Sequence, residues 1–189
     1  MVKIKGNLLL EGLIGALNKQ MVIKQYGKTT VISAYPDMSR VVKTEKQKKE
    51  NSRFREAMAY AKQQMADPVS KAEYKAKAKD LQKPHNVAIA DFYHPPEVKS
   101  IDASACKGNV GDLLIVHATD DFKVVKVTVE ISINGQLSET GDAVQKSKWK
   151  WAYTLQHEYI PSSAISITAR AWDKPGNMAE MTMNLSLIV

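Results

Sequence analysis

Hydrophobic residues recur with two different periods along this 189-residue chain, and the period changes near Pro95 and Pro96. From residue 43 to residue 93, apolar side chains recur at the three- and four-residue spacing of helices. After the proline pair, they alternate with polar side chains, as in strands with one buried face. Two successive prolines end a helix and stiffen the segment that follows. The pattern therefore predicts two domains, residues 1–94 and residues 97–189.

The first domain is predicted to contain a β-hairpin. Two β-rich runs, residues 21–23 and residues 30–32, flank Gly27, and such runs around a glycine are typical of paired strands. Pro36 ends the second run, because proline lacks the backbone donor that the interior of a sheet needs. The hairpin is therefore expected to end before Pro36.

A long helix is predicted over residues 43–65. Thr44 and Gln47 have the spacing of a capping box, in which each side chain satisfies a free backbone amide of the other residue. Apolar residues recur at helical spacing and predict one buried stripe. The stripe consists of Phe54, Met58, Ala61 and Met65.

One or two further helices are predicted before the proline pair. Asp67 can cap a second helix over residues 69–81, and Pro68 suits its first position because that position needs no backbone donor. Pro84 marks the start of a third, short helix over residues 85–93. The first domain is thus predicted to be an α+β unit with a β-hairpin and two to three helices.

Residues 97–189 are predicted to form an all-β sandwich of about seven short strands. The clearest strand covers residues 125–133, where valine and isoleucine alternate with polar residues. Asn134 and Gly135 follow it, and this pair is a strong hairpin signal because both turn positions need positive φ. A later strand is predicted to turn three aromatic residues into the core: Trp149, Trp151 and Tyr153. The last strand is predicted to carry Met181, Met183, Leu185 and Leu187.

Charge divides the chain at the same place as the hydrophobic pattern. Residues 1–96 carry 18 lysines and arginines against 9 acidic residues, a net charge of +9. Residues 97–189 carry 9 against 11, a net charge of −2. Such asymmetry predicts a basic first domain and a second domain with different partners.

The basic residues of the predicted helices form the candidate partner-binding surface. Lys71, Lys75 and Lys79 repeat every four residues, which places them on one face of the second helix. This surface suits an anionic protein or, as an alternative, nucleic-acid phosphates bound along residues 43–83. A solvated lysine-rich face without a partner is the plain structural alternative. The residues predicted to bind a partner are Lys46, Lys49, Arg53, Lys71, Lys75 and Lys79.

No catalytic, cofactor-binding or metal-binding residue is assigned from sequence motifs. The single cysteine, Cys106, excludes a disulfide within the chain and a cysteine metal cluster. No nucleophile elbow, phosphate-binding loop or zinc-protease motif occurs, and none of the histidines has the spacing of a metal ligand. These histidines are His85, His94, His117 and His157. The sequence therefore predicts a protein that is not an enzyme and has no cofactor or small-molecule substrate.

Aspartates at predicted loops of the sandwich leave calcium binding open. Hard cations favour several oxygen ligands, but loop aspartates also form hydrogen bonds with their own backbone. The four residues are Asp112, Asp120, Asp121 and Asp173. Glycan stacking on tryptophans of the sandwich also stays open, since it requires them to be exposed.

The N-terminal residues predict neither a secretory signal nor a membrane span. The apolar run at residues 8–10 is shorter than the core of a signal, and Glu11 interrupts it. No run approaches the roughly 18 apolar residues of a membrane helix. We therefore expect synthesis in the cytoplasm without a signal peptide, with association with a particle left open.

Three segments of the second domain resemble bacterial immunoglobulin-like modules. Residues 118–131 resemble their acidic turn and long strand, Asn134-Gly135 resembles the next hairpin, and residues 169–177 resemble their penultimate strand with its Asp-x-x-Gly-Asn turn. The resemblance implies an immunoglobulin-like β-sandwich with a spacer, adhesion or display role rather than a chemistry.

The first domain resembles small uncharacterised proteins of Bacteroidetes-type bacteria and their mobile elements. The shared pattern is Gly12-x-x-Gly15, Gly27-Lys28-x-x-Val31, Pro36, and a helix with Gln47 and Arg53-Phe54-x-x-Ala57. This resemblance implies a particle-associated or structural protein.

Together these patterns predict a non-enzymatic structural or interaction protein. In this interpretation, the basic first domain anchors an immunoglobulin-like module in a larger, phage-like assembly, through a protein partner or self-assembly. Two alternatives stay open: nucleic-acid binding through the basic helices, and surface adhesion or glycan binding through the sandwich.

Overall fold

The structure is a computed structural model in which two compact units, Met1–Lys48 and Lys49–Val189, are distinguished. It describes residues 2–5, 13–27, 29–37, 39, 41–159 and 164–185. Gly12, Lys28 and Leu187, which carried sequence interpretations, lie outside the described residues, as do residues 8–11. The predicted domain boundary near residue 95 stays a prediction, since the units of the structure divide between Lys48 and Lys49.

The first unit contains a four-stranded antiparallel sheet. Its strands are β1 (Val2–Lys5), β2 (Gly15–Leu17), β3 (Met21–Tyr26) and β4 (Thr29–Ala34), in the order β1-β4-β3-β2. The predicted hairpin is confirmed as β3 and β4, which pair from Met21 with Ala34 to Tyr26 with Thr29. Gly27 follows β3 with a φ of 58°, a conformation that glycine adopts without a steric cost.

Three helices follow the first sheet. They are α1 (Glu45–Ala66), α2 (Pro68–Lys77) and α3 (Pro84–Tyr93). The capping box of α1 is confirmed, because the Gln47 amide donates to Thr44 Oγ1 at 3.3 Å and the Thr44 amide donates to Gln47 Oε1 at 3.0 Å. Asp67 caps α2 by accepting hydrogen bonds from two backbone amides of its first turn. Among the described residues, no helix is long and apolar enough to cross a membrane.

The predicted end of α2 is wrong by about one turn. The helix ends at Lys77 rather than near Leu81, because Ala78 adopts an extended conformation with a ψ of 133°. Asp80 then has a φ of 49°, which is incompatible with a continuing right-handed helix. Lys79 therefore lies beyond the helix and not on the face that carries Lys71 and Lys75.

The predicted apolar stripe of α1 is wrong in its first half. Phe54 is 50% exposed and Met58 is 40% exposed, whereas Ala57 and Ala61 are fully buried. Ala61 packs in a small cluster with Tyr74 of α2 and Ala88 of α3. The alanines of α1 therefore face the neighbouring helices, where the larger Tyr74 side chain fills the interior, and Phe54 and Met58 are left on the more exposed side.

Eight strands form two further antiparallel sheets. They are β5 (Glu97–Asp102), β6 (Leu113–Thr119), β7 (Val124–Ile133), β8 (Gln136–Asp142), β9 (Val144–Gln145), β10 (Lys150–Thr154), β11 (Ile165–Asp173) and β12 (Met178–Leu185). One sheet has the order β5-β6-β10-β9 and the other has the order β12-β11-β7-β8. The inner faces of both sheets contribute to one hydrophobic cluster. The protein is therefore a mixed α+β structure with a sandwich-like pair of sheets.

Local irregularities decide which strand residues reach this core. Val124 is buried and Val125 is exposed, because the pairing of β7 with β11 shifts register between Trp172 and Asp173. The prediction that Val125 continues the buried face is therefore wrong at that residue. The Asn134-Gly135 hairpin is confirmed, with φ values of 51° and 79°.

The three aromatic residues predicted to share a buried face do not all reach the core. Trp151 and Tyr153 of β10 are buried, whereas Trp149 is 55% exposed. Trp149 precedes β10 and lies in a bend rather than in the strand. The alternation of strand side chains therefore does not extend to it.

Candidate functional site

Three aspartates from separate elements meet at one place in the second unit. Asp91 lies in α3, Asp120 directly follows β6, and Asp173 ends β11. One carboxylate oxygen from each lies within 4.8 Å of those of the other two. Asp91 and Asp173 are each only 2% exposed. We refer to these three residues as the aspartate cluster.

Asp173 is held by the turn that follows it. Its Oδ1 accepts hydrogen bonds from the Gly176 amide at 2.8 Å and the Asn177 amide at 2.6 Å, and its Oδ2 accepts one from Asn177 Nδ2 at 2.7 Å. Gly176 has a φ of 96°, which favours glycine there. The Asp-x-x-Gly-Asn segment is therefore a rigid support for one carboxylate.

Asp120 is held by the turn between β6 and β7. Its Oδ2 accepts hydrogen bonds from the Phe122 amide at 2.8 Å and the Lys123 amide at 2.6 Å. This side-chain-to-backbone pattern is common for aspartate in turns. The other oxygen, Oδ1, is buried and has no hydrogen-bond partner in the described structure. One side of the carboxylate is thus fixed by the chain while the other is left without a donor.

Asp91 is held by a pair of tyrosines from the neighbouring helices. Its Oδ2 accepts a hydrogen bond from Tyr74 Oη at 2.5 Å, and Tyr74 Oη lies 2.7 Å from Tyr60 Oη. Its Oδ1 is buried without a partner in the part of the chain that the structure describes. Unpaired buried acceptors are costly in folded proteins, so this oxygen requires an explanation.

Burial and neighbouring charge disfavour ionisation in the cluster. Burial, together with the charges of Asp120 and Asp173, raises the pKa of Asp91 to about 7, against the opposing effects of the Tyr74 hydrogen bond and the Lys174 charge. Burial also raises the pKa of Asp173 above its ordinary value, although its hydrogen bonds oppose this. Three ionised carboxylates therefore repel one another here unless a proton or a cation compensates them.

Two lysines lie near the cluster and are already engaged. Lys174 Nζ donates to Ser70 Oγ at 2.8 Å and to Glu73 Oε2 at 2.6 Å. Lys123 Nζ lies 3.4 Å from Glu73 Oε1. Counting Glu73 with the cluster, four carboxylates face two ammonium groups and leave a formal charge of −2. The neighbourhood therefore keeps an excess of negative charge.

The structure brings together only part of the aspartate set that the sequence singled out. Asp120 and Asp173 meet, but Asp112 precedes β6 and accepts from the Lys107 and Asn109 amides at the opposite end of that strand from Asp120. Asp121 instead pairs with His94 Nδ1 at 2.8 Å on the surface.

Sequence reasoning missed Asp91, the third member of the cluster. It lies in the apolar helix α3, between Ala90 and Phe92. The one available signal was an acidic residue within a helix whose neighbours are mostly apolar, since buried charges are rare without a partner.

A second buried carboxylate in the same unit has a different environment. Glu139 of β8 accepts hydrogen bonds from the Tyr153 and Tyr159 hydroxyls, from the backbone amides of Gln156 and His157, and has His157 Nδ1 at 3.1 Å. Burial opposes its ionisation, but these hydrogen bonds prevail and hold the pKa of Glu139 below its usual value. The Glu139 network therefore anchors the segment after β10 to the sheet.

The predicted partner-binding lysines and arginine are exposed, but they do not form one set. Lys71 and Lys75 lie one turn apart on α2, and Lys79 follows the end of that helix. Lys46 and Lys49 lie in the first turns of α1. The guanidinium of Arg53 lies 4.6 Å from the centre of the Tyr93 ring, and its Nη2 donates to the Tyr93 carbonyl at 3.4 Å.

Arg53 therefore already has an intramolecular contact. A guanidinium over an aromatic ring gains a cation–π interaction, and this contact joins α1 to the end of α3. Lys71 and Lys75 share one exposed face of α2, and Lys49 and Arg53, which are also four positions apart, share one face of α1.

No protein-family model matches the chain, and no curated protein matches it. Among solved structures, a crystal structure described as that of an engineered protein shares 21% identity over 41% of this chain, with a TM-score of 0.35. The match spans 16% of the engineered protein's own chain. A similarity at this level carries no argument about fold or function.

Proposed function

We propose that the protein is a non-enzymatic structural and interaction protein that presents an immunoglobulin-like module within a larger, phage-like assembly. The strand order of the two packed sheets supports the immunoglobulin-like part of the proposal. An immunoglobulin-like sandwich has its strands in the orders A-B-E-D and G-F-C, with C′ beside C in variants with more strands. The orders β5-β6-β10-β9 and β12-β11-β7-β8 follow this scheme when the strands are lettered along the chain.

The module departs from antibody domains in its core. The chain has a single cysteine, so the disulfide between strands B and F has no counterpart. Cys106 lies buried among the core residues. The buried tryptophan of antibody domains lies on strand C, which corresponds to β7, whereas Trp151 enters this core from β10. The module therefore folds without a disulfide within the chain and does not require an oxidising compartment.

Exposed apolar residues near one sheet edge support a role in protein contacts. Trp149 and Val144, on the β9 side of the sheet β5-β6-β10-β9, are 55% and 61% exposed. Trp149 also lines an open groove together with Phe122 and Gln145. Exposed aromatic residues beside a groove are typical of the residues that dominate protein–protein interfaces.

A comparison of two variants tests this proposal. The full chain is purified from its native cells at low salt, and its native mass is measured by light scattering and mass spectrometry. We expect a stoichiometric complex that Trp149→Ala weakens at least tenfold, whereas Val110→Ala, a substitution of an exposed residue before β6, leaves it intact. A lone monomer under these conditions would contradict the proposal.

Nucleic-acid binding is the second candidate, and the exposed pair Lys71 and Lys75 favours it. Lysines that contact phosphates release counterions, so affinity should fall steeply with salt. Fluorescence anisotropy with duplex and single-stranded DNA, at 50 and 200 mM salt, measures this directly. Charge reversal of Lys71 and Lys75 should abolish binding, while reversal of Lys99, on β5, should not. Binding that ignores both substitutions would exclude this surface.

A further inference from the structure

We propose that the aspartate cluster is a calcium-binding site that fastens α3 to the turns after β6 and β11. The ligands from the chain are the carboxylates of Asp91, Asp120 and Asp173, with water completing the coordination. Carboxylate oxygens are the ligands that calcium prefers, and calcium accepts six to eight of them in irregular geometry. The assignment is independent of the partner-binding role proposed above.

The spacing of the three carboxylates fits one shared ion. Calcium binds oxygen at about 2.3–2.6 Å, so two oxygens on the same ion lie at most about 5 Å apart. One oxygen from each aspartate lies within 4.8 Å of the others. All three can therefore coordinate one ion with small adjustments of side chains that the chain already holds in place.

Unpaired oxygens provide an independent argument for a ligand. In the described part of the chain, three buried side-chain polar atoms have no hydrogen-bond partner: Asp91 Oδ1, Asp120 Oδ1 and Trp151 Nε1. Two of these three belong to the aspartate cluster. Asp91 is only 2% exposed, so bulk water does not supply the missing hydrogen-bond donor.

The second oxygen of each aspartate is held by the chain. Asp91 Oδ2 accepts from Tyr74, Asp120 Oδ2 accepts from two backbone amides, and Asp173 Oδ1 accepts from two others. Asp91 and Asp120 are therefore each oriented by one oxygen while the other has no partner. Asp173 is held through both oxygens, because its Oδ2 also accepts from Asn177 Nδ2 at 2.7 Å. This division is characteristic of metal ligands supported by surrounding hydrogen bonds.

Nearby lysines do not take the place of the cation. Lys174 Nζ is bound to Ser70 and Glu73, and it also lies 5.2 Å from the centre of the Tyr74 ring. Its charge weakens the negative potential at Asp91 but leaves the excess of carboxylates uncompensated. A dication supplies the missing charge at a single point that all three aspartates reach.

A bound calcium ion would connect elements that other contacts already bring together. Tyr74 of α2 stacks on Phe122 with 4.1 Å between ring centres, and Asn177 Nδ2 donates to the Phe92 carbonyl at the end of α3. The ion would therefore stabilise the packing of α2 and α3 on one end of the paired sheets. Ligand binding that is confined to the folded state raises stability by mass action.

Isothermal titration calorimetry, in which calcium chloride is added to the metal-free full chain, tests the site. We expect one ion per chain, with a dissociation constant on the order of 10⁻⁴ M, and binding of magnesium at least tenfold weaker. At a free calcium concentration about one hundred times that constant, the melting temperature should rise by roughly 5–10 °C. The absence of saturable binding below 10 mM calcium would overturn the proposal.

Matched variants locate the ion. Asp91→Asn and Asp120→Asn should each weaken calcium binding at least tenfold, and the partly exposed Asp120 provides the test if the first variant does not fold. Asp121→Asn, at the adjacent surface position, should change the affinity by less than twofold. Three results would overturn the assignment. They are an equal loss of calcium affinity in Asp121→Asn, tighter binding of magnesium than of calcium, and a melting temperature that depends on pH but not on calcium.

Discussion

The second unit contains two buried carboxylate sites that differ in how many of their oxygens have a hydrogen-bond donor. Glu139 receives donors on both oxygens from tyrosine hydroxyls and backbone amides. The aspartate cluster has three carboxylates, and two of its oxygens have no donor in the described structure. The pKa of Glu139 is correspondingly held below its usual value, whereas that of Asp91 is raised to about 7.

The difference shows what a buried negative charge requires. Burial opposes ionisation at both sites, but hydrogen bonds to the charged form compensate for it at Glu139. At the aspartate cluster, three charges share too few donors. One site is therefore completed by the chain itself, and the other is suited to a ligand that the chain must acquire. The substitutions below test this contrast.

Substitution of Glu139 by glutamine should have the largest effect. The neutral amide offers one acceptor oxygen where the carboxylate offers two, so at least one tyrosine hydroxyl loses its charged partner. Loss of a buried charge-assisted network typically costs about 3 kcal/mol. Urea unfolding at pH 7 measures this cost. Glu158→Gln, at an exposed position on the same segment, should leave stability nearly unchanged.

The effect of Glu139→Gln should also depend on pH in a defined direction. The pKa of Glu139 is lowered from 4.5 in the folded protein, so its contribution is fully present above the unfolded pKa of about 4.3. It is lost as the pH falls through the lower folded value. The stability difference between the wild type and the variant should be present at pH 7 and shrink below about pH 4. A difference that grows as the pH falls below 4 would contradict this account.

Substitution of Gly141 by alanine should have the next largest effect. A Cβ atom at this position would lie 2.8 Å from Cε2 of Tyr153, the tyrosine that donates to Glu139. Overpacking of this kind costs about 2 kcal/mol, and it also displaces a donor of the Glu139 network. Thermal unfolding should show the loss, while Thr140→Ala on the exposed side of β8 should show little. Equal effects of the two substitutions would indicate that the tyrosine moves aside freely.

The elements of this fold could be predicted from sequence where the signal is local. Thr44 and Gln47 form the capping box that their spacing predicts, and Asn134 and Gly135 form the predicted turn. In each case the deciding hydrogen bond or backbone conformation lies within four residues. Alternation located the strands for the same reason, since strand periodicity is a property of neighbouring residues.

The errors and omissions arise where distant parts of the chain decide. Val125 is exposed because the partner strand shifts register, and Phe54 is exposed because α1 packs through its alanines. Asp91 acquires its role from Asp120 and Asp173, which are 29 and 82 positions away in the sequence. No local pattern contains that information, so the third carboxylate could be found only from the tertiary structure.

The effect of Asp91→Asn on stability should change sign between calcium-free and calcium-saturated protein. Without divalent ions, removal of one of three repelling carboxylates should stabilise the protein by about 1 kcal/mol. With saturating calcium, the wild type should become the more stable protein, because a loss of affinity of at least tenfold costs the variant at least about 1.4 kcal/mol. Urea unfolding in chelator and in calcium measures both values. The same sign in both conditions would contradict the contrast between the two carboxylate sites.

Substitution of Asp121 by asparagine should have the smallest effect. Asp121 adjoins Asp120 in sequence, but it forms an exposed pair with His94 in which both side chains are more than half exposed. Surface pairs of this kind contribute less than about 1 kcal/mol. Thermal unfolding should therefore match the wild type, both in chelator and in calcium. A loss as large as that of Asp91→Asn would show that sequence adjacency, rather than burial, governs these aspartates.

Anomalous diffraction at long wavelength, from crystals grown in calcium chloride, tests the ligand at the aspartate cluster most directly. The predicted result is a single anomalous peak about 2.4 Å from one oxygen each of Asp91, Asp120 and Asp173. The same crystals should show no such peak at Glu139, whose oxygens are already satisfied. The account would be contradicted if the cluster showed no anomalous density at saturating calcium and its aspartates were hydrogen-bonded to one another.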